Sequence, residues 1–129
     1  VDRAKTSYNF NTLFNETTMS NGSDCPVELP NVLNGIYCAV TRKTLDGKGP
    51  FLPNQALSVK DAILSFTRNG AYASFEEDTK GTLEKGKLAD FIIISNDIFN
   101  SPPKELLKTT VTKTIVNGRV IYDRSKERN

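Results

Sequence analysis

The chain has 129 residues, 37% of them hydrophobic and 25% charged, with 17 basic against 15 acidic residues and no histidine. That length suits one domain and falls well short of a whole (β/α)8 barrel, which takes roughly 250 residues; the composition is that of a folded chain rather than a disordered one. A net charge of +2 is too small a bias to argue for nucleic acid or an anionic membrane, and without histidine the chain alone cannot build a His-ligated metal site, a Ser-His-Asp triad or a Cys-His dyad.

In chain order, Phe10, Leu13 and Phe14 fall at i, i+3, i+4 and predict a short helix face within residues 5–16. Thr17 to Asn21 reads as a weak strand with Met19 as its only strongly apolar residue, and Asn21-Gly22-Ser23-Asp24 reads as a turn. After Pro26 and Pro30, the spacing of Val32, Leu33, Ile36, Tyr37 and Val40 predicts a helix from about Asn31 to Arg42. Gly47, Gly49, Pro50 and Pro53 mark a loop. Ser58 opens the clearest helix: its hydroxyl can cap the backbone N–H of Asp61, and Asp61 puts negative charge in the first turn. Val59, Ala62, Ile63 and Phe66 form its apolar face, Asn69-Gly70 interrupts it, and Ala71 to Phe75 adds a short helical piece.

The pattern then turns to β. Gly81 and Gly86 bracket a turn-rich segment around Leu83. Phe91 to Ser95 is a nearly all-apolar strand, which predicts burial on both faces. Ser101-Pro102-Pro103 can open a helical turn through Leu106 and Leu107. Val111 to Val116 is a strand, and Asn117-Gly118 is a strong two-residue hairpin signal because a type I′ turn needs φ > 0 at both positions. The return strand is Val120 to Tyr122, with Val116 set opposite Arg119 and Ile115 opposite Val120. The charged tail after Asp123 is expected to fray. The expectation is a single α+β domain, mainly helical over 1–79 and made of strands and a hairpin over 80–129.

The longest apolar run, Phe91–Ile94, is four residues against the ~20 that a membrane helix needs. Val1 is not an initiator Met and no signal-peptide core follows it. The expectation is a cytoplasmic location with no membrane, and a natural start that lies upstream of Val1.

Three stretches share one pattern: GSDCPVE at Gly22–Glu28 with YCAVTR at Tyr37–Arg42; ALSVKDAILSFTRNGAYASFEED at Ala56–Asp78; and KGTLEKGKLADFIIISND at Lys80–Asp97 with TIVNGRVIYD at Thr114–Asp123. In order and spacing they resemble the C-terminal end of the metal-dependent amidohydrolases, in the long-chain branch that contains the N-substituted formamide deformylases. The resemblance implies the C-terminal helices of an incomplete (β/α)8 barrel, followed by strands of the small composite β-sandwich that such enzymes build from both chain ends. It also implies hydrolysis of amide-type C–N bonds, with a divalent metal such as zinc activating water in the parent enzyme. Asp24 falls on the family's metal-ligand and general-base position at the end of the eighth barrel strand; a carboxylate suits both roles. One carboxylate cannot hold a catalytic metal tightly, since such sites commonly use three protein ligands. This chain alone is therefore expected to be metal-free and catalytically inactive. A buried barrel strand should also be rich in Val, Ile, Leu or Phe, which Thr17–Asn21 is not.

Other candidates have plainer readings. Ser23 has no visible base and reads as a turn hydroxyl; Cys25 and Cys38 could pair but read as free buried thiols. Lys80, Lys85 and Lys87 could form an anion patch or be solvated charges beside Glu84 and Asp90. Arg42 and Arg68 could meet substrate in an intact enzyme, with surface or capping roles as the default. Asp90 is expected to bond nearby backbone, and Glu76-Glu77-Asp78 to be a solvated run rather than a cation site. Two functional readings follow. One is the catalytically incomplete C-terminal part of a C–N hydrolase, whose partner is the missing N-terminal barrel. The other is a stand-alone, non-catalytic module whose orphaned apolar strand drives a homo-oligomer, a two-fold dimer or higher.

Overall fold

A computed structural model of the chain describes residues 2–127. Four α-helices come first: α1 (Phe10–Glu16), α2 (Val32–Thr41), α3 (Val59–Phe66) and α4 (Arg68–Ala73). Three strands follow: β1 (Phe91–Ile94), β2 (Val111–Val116) and β3 (Arg119–Asp123). A 3-10 turn at Pro103–Leu107 links β1 to β2. The α+β reading therefore holds.

The predicted Ser58 cap is in place, and the structure adds caps at both ends of α2. The Asn34 N–H donates to Asn31 Oδ1 at the start of α2, and Arg42 ends that helix in the left-handed conformation, donating its N–H to Cys38 O. At α3 the Asp61 N–H donates to Ser58 Oγ at 3.1 Å, while the Ser58 hydroxyl donates to the Asp61 carboxylate. The helical interruption falls two residues before Asn69-Gly70. Thr67, at φ −127° and ψ −92°, leaves helical geometry, and α4 runs through both residues. Asn69 does not break the helix because its side-chain amide is used elsewhere, donating to Met19 O at 2.9 Å.

Thr17–Asn21 is not a strand. Among the described residues no strand runs beside it, so its backbone bonds go to helices: the Asn21 N–H donates to Ser65 O at 3.0 Å. In α1, Phe10 and Phe14 pack toward the core while Leu13 is exposed, so the seven-residue helix buries a narrower face than the spacing suggested.

The sheet has antiparallel order β1-β2-β3. Its hairpin has the predicted register, Val116 opposite Arg119 and Ile115 opposite Val120, with Asn117 at φ 49° and Gly118 at φ 73°. Register shifts place Thr112 as an extra residue facing β1 and Ile121 as an extra residue facing β2. The expectation that Phe91–Ile94 is buried on both faces is corrected: Phe91, Ile92 and Ile93 are 37%, 52% and 45% exposed. A sandwich needs a second sheet about 10 Å away, and the described residues contain one sheet. The tail is also more ordered than expected. Arg124–Lys126 forms a 3-10 turn capped by Asp123, whose carboxylate accepts from both the N–H and the hydroxyl of Ser125; residues 128 and 129 lie outside the described range.

One core joins the two halves. Ile36, Tyr37 and Ala39 of α2 pack with Leu57, Ala62 of α3, Ile98 and Leu106. Ala62 and Ser65 are wholly buried on α3, where small side chains let neighbouring backbone approach closely.

Candidate functional site

Asp24 opens a turn that closes with the Val27 N–H donating to Asp24 O at 2.8 Å. It has φ 53°, a left-handed conformation that Asp tolerates better than most residues, and its side chain is exposed. What fixes this segment lies just before it. Asn21 is bound twice to α3, through its backbone N–H to Ser65 O and through its side-chain amide to Ser65 Oγ, each at 3.0 Å. Ser65 has no solvent exposure, and its own hydroxyl donates to Ala62 O at 2.7 Å. With the Asn69–Met19 bond, the end of α3 and the start of α4 hold residues 19–21 and leave Asp24 projecting from a short turn.

A divalent metal, which the family resemblance implies, does not fit these residues by themselves. Among the described residues no three His, Cys, Asp or Glu side chains come together as a metal would require. Asp24 brings a single carboxylate, which does not complete such a site.

The other candidates separate. Cys25 and Cys38 are both free. Cys25 lies exposed on the Asp24 turn, against the expectation of a buried thiol, because that turn stands out from the core. Cys38 is half-buried; burial first, then the Glu28 charge, pushes its thiol pKa up, the wrong direction for a nucleophile. Ser23 lies half-buried beside Asp24, and no histidine exists to activate it.

Arg42 is buried, not at the surface. Its Nε donates to Phe51 O at 3.0 Å, and the guanidinium lies 5.0 Å from the Phe10 ring centre and 6.0 Å from that of Phe51. Burial pulls its pKa below the ordinary arginine value. It ties α1, the end of α2 and the loop before Pro53 together, a structural task that its exposed counterpart Arg68 does not share. The lysines do not form an anion patch. Lys80 pairs with Glu76 at 2.6 Å and Lys87 with Glu84 at 3.2 Å, while Lys85 is exposed. In the acidic run, the Lys80 and Ser74 hydrogen bonds hold Glu76 below the usual carboxylate pKa. Asp90 bonds across the fold rather than locally: it accepts from the Asn117 N–H at 2.7 Å, beside a Gly118 N–H bond to Ala89 O at 3.1 Å.

The feature that sequence reading missed is an open apolar groove of about 1120 Å³ between α2, α3 and one face of the sheet. Leu33, Ile36, Phe66, Ile92, Ile94 and Tyr122 are among its walls. The signal for it was alternation: Ile92 and Ile94 share a face of β1, and Ile92 lies across from Thr114, which in turn lies across from Tyr122. A helix face and a sheet face of this kind normally close on one another or on something else.

The family profile described as "Amidohydrolase family" matches residues 1–122. The chain belongs to the amidohydrolase family. A Bacillus subtilis protein provisionally named as amidohydrolase YtcJ is 34% identical over 96% of this chain and 24% of its own length. Protein LONG AFTER FAR-RED 3 of Arabidopsis thaliana is 34% identical over 92% of the chain and 20% of its own length. N-substituted formamide deformylase of Arthrobacter pascens is 30% identical over 83% of the chain and 20% of its own length. The chain thus spans a quarter or less of the length of these relatives, and the match is to a C-terminal amidohydrolase segment. No solved structure matches it. Among the described residues of this family member, no helix is long and apolar enough to cross a membrane.

Proposed function

We propose that this chain is the C-terminal closing part of an amidohydrolase that cleaves amide-type C–N bonds, and that the chain alone is catalytically incomplete. The observation that carries the reading is the family match over residues 1–122 by a chain that spans only 24% of a relative's length. The name of the Arthrobacter relative, N-substituted formamide deformylase, supports a C–N bond as the target. In this reading α1–α4 are the last helices around a (β/α)8 barrel, and β1–β3 are strands of the composite sandwich beside it. The open groove and the exposed apolar strand are the surfaces that the remaining polypeptide covers.

Asp24 is the one group that the chain brings to the chemistry. Its carboxylate is a proton acceptor on a turn held at Asn21 and aimed away from the core. A single carboxylate does not make a metal site, so every other ligand and acid or base belongs to sequence outside this chain. The test begins with the mass of the native polypeptide, detected in its source cell with an antibody to this chain. A band several times 14.3 kDa is expected. In that longer protein, Asp24→Asn should abolish amide hydrolysis while the fold is kept. Hydrolysis by the isolated 14.3 kDa chain, lost in Asp24→Asn, would overturn the claim of incompleteness.

The exposed Ile92, Ile93, Val120 and Ile121 favour one alternative: a stand-alone module without catalysis that covers these residues by pairing with further copies of itself. A native band near 14.3 kDa and a dimer or higher oligomer by light scattering would select it; a monodisperse monomer at high concentration would exclude it.

A further inference from the structure

The chain contains four Asn-Gly dipeptides, at Asn21, Asn34, Asn69 and Asn117. Asn-Gly is the pair most open to spontaneous loss of the side-chain amide, because glycine leaves the following backbone nitrogen unhindered. The reaction needs that nitrogen to reach the asparagine Cγ, and helical backbone turns it away. The fold treats the four pairs differently.

Asn34 and Asn69 lie within α2 and α4, where helical ψ is near −42°. The nitrogen after Asn34 is further occupied, the Gly35 N–H donating to Asn31 O at 3.2 Å. Asn117 sits in the left-handed region, and the Gly118 N–H donates to Ala89 O at 3.1 Å. Asn21 lies in irregular backbone, outside the helices that hold Asn34 and Asn69 and the tight hairpin turn that holds Asn117. Among the described residues the Gly22 N–H has no hydrogen-bond acceptor, and a Cβ built on Gly22 meets nothing within 4 Å. Among these residues no acceptor holds the attacking nitrogen, and nothing crowds the side of Gly22 where a Cβ would stand.

We propose that Asn21-Gly22 is a site of spontaneous deamidation and isoaspartate formation, and that its conversion releases the segment leading to Asp24 from α3. The Gly22 nitrogen gives its proton to solvent base and bonds to Asn21 Cγ. The Cγ–Nδ2 bond breaks, and the amide nitrogen takes a proton from water and leaves as ammonia, closing a succinimide. Water then adds to either ring carbonyl, and the ring opens to an aspartate or isoaspartate carboxylate, with a proton released to solvent. Asn21 Nδ2 is the group that donates to Ser65 Oγ. After conversion a carboxylate oxygen faces that hydroxyl, whose only hydrogen is already given to Ala62 O. Two acceptors then meet at a serine with no solvent exposure, an arrangement that burial penalises. The isoaspartate form also lengthens the backbone by one carbon between Met19 and Asp24.

This inference is independent of the proposed function and is tested on the chain itself. The purified protein is incubated in warm, mildly alkaline buffer, and peptides are mapped by mass spectrometry with an isoaspartate methyltransferase as the label. A parallel sample is kept unfolded in urea. Native protein should convert at Asn21 several-fold faster than at Asn34, Asn69 and Asn117, and the unfolded sample should lose that ranking. Gly22→Ala, which has room for its methyl group, should keep the fold and slow Asn21 conversion several-fold. Ser65→Ala, by freeing the Asn21 side chain, should accelerate it; if that variant does not fold, Gly22→Ala decides alone. In the converted protein, hydrogen exchange at the Asn21 amide should lose its protection. Conversion led by any other Asn-Gly pair, or no conversion at Asn21 while the unfolded sample converts, overturns the site. Unchanged Asn21 protection after conversion overturns the release.

Discussion

Asp123 shows how much a single residue can be asked to do near a chain end. It ends β3, caps the following 3-10 turn through Ser125 and lies 3.6 Å from Lys113 on the neighbouring strand. The Ser125 hydroxyl first, then the Ser125 N–H and the Lys113 charge, hold its carboxyl below the usual carboxylate pKa. A folded-state pKa below the unfolded value of about 3.9 adds stability above that value and loses it as pH falls through the folded one. Asp123→Asn should therefore lower the urea midpoint near neutral pH and have little effect in strong acid. An equal loss at both pH values would mean that packing, not charge, holds the turn. Residues with local partners could be read from sequence in this way: Ser58 caps three residues on, and Asn117-Gly118 makes its own turn. Residues with distant partners could not. Asp90 meets Asn117 27 positions away, and Arg42 sits between two rings that no spacing rule connects.

Elements were legible where their period was long enough to show. The α2 range follows from apolar spacing, the α3 start from spacing plus a cap, and the hairpin register from its turn. Thr17–Asn21 was misread because β-branched residues suit a strand only where another strand is beside them; here Ser65 and Asn69 take those backbone groups instead. The state of β1 was misread because an apolar run reports what a strand was selected to touch, and the described residues provide one sheet with no second layer. The link from α4 into the strands is narrow at one point. Gly81 has φ 94°, and a Cβ there would stand 2.7 Å from Ala71 Cβ and 3.2 Å from Arg68 Cα. Gly81→Ala should thus combine a left-handed backbone penalty with overpacking against α4, costing about 2 kcal/mol or more in chemical denaturation. Gly22→Ala, with an empty surrounding, serves as the control and should change stability little.

At the scale of the whole chain, helices and strands lie in separate stretches of sequence, which invites the idea of two units that unfold apart. The core argues otherwise. Leu106 lies in the 3-10 turn between β1 and β2, is 2% exposed, and packs with Ile36 and Tyr37 of α2. Ile98, which follows β1, belongs to the same cluster. The strand region therefore has no separate interior to keep if α2 is lost, and the helices lose a wall if the Leu106 turn leaves. Unfolding followed by helical circular dichroism and by amide exchange in β2 should give coincident transitions. Leu106→Ala should lower both together, by roughly 2–5 kcal/mol as expected for a buried leucine truncated to leave a cavity. That is a large share of the stability of any domain this size, typically about 5–15 kcal/mol. A variant that loses β2 protection while its helical signal keeps the parent midpoint would show two independent units. The apolar groove would then be a joint between them rather than a surface on one body.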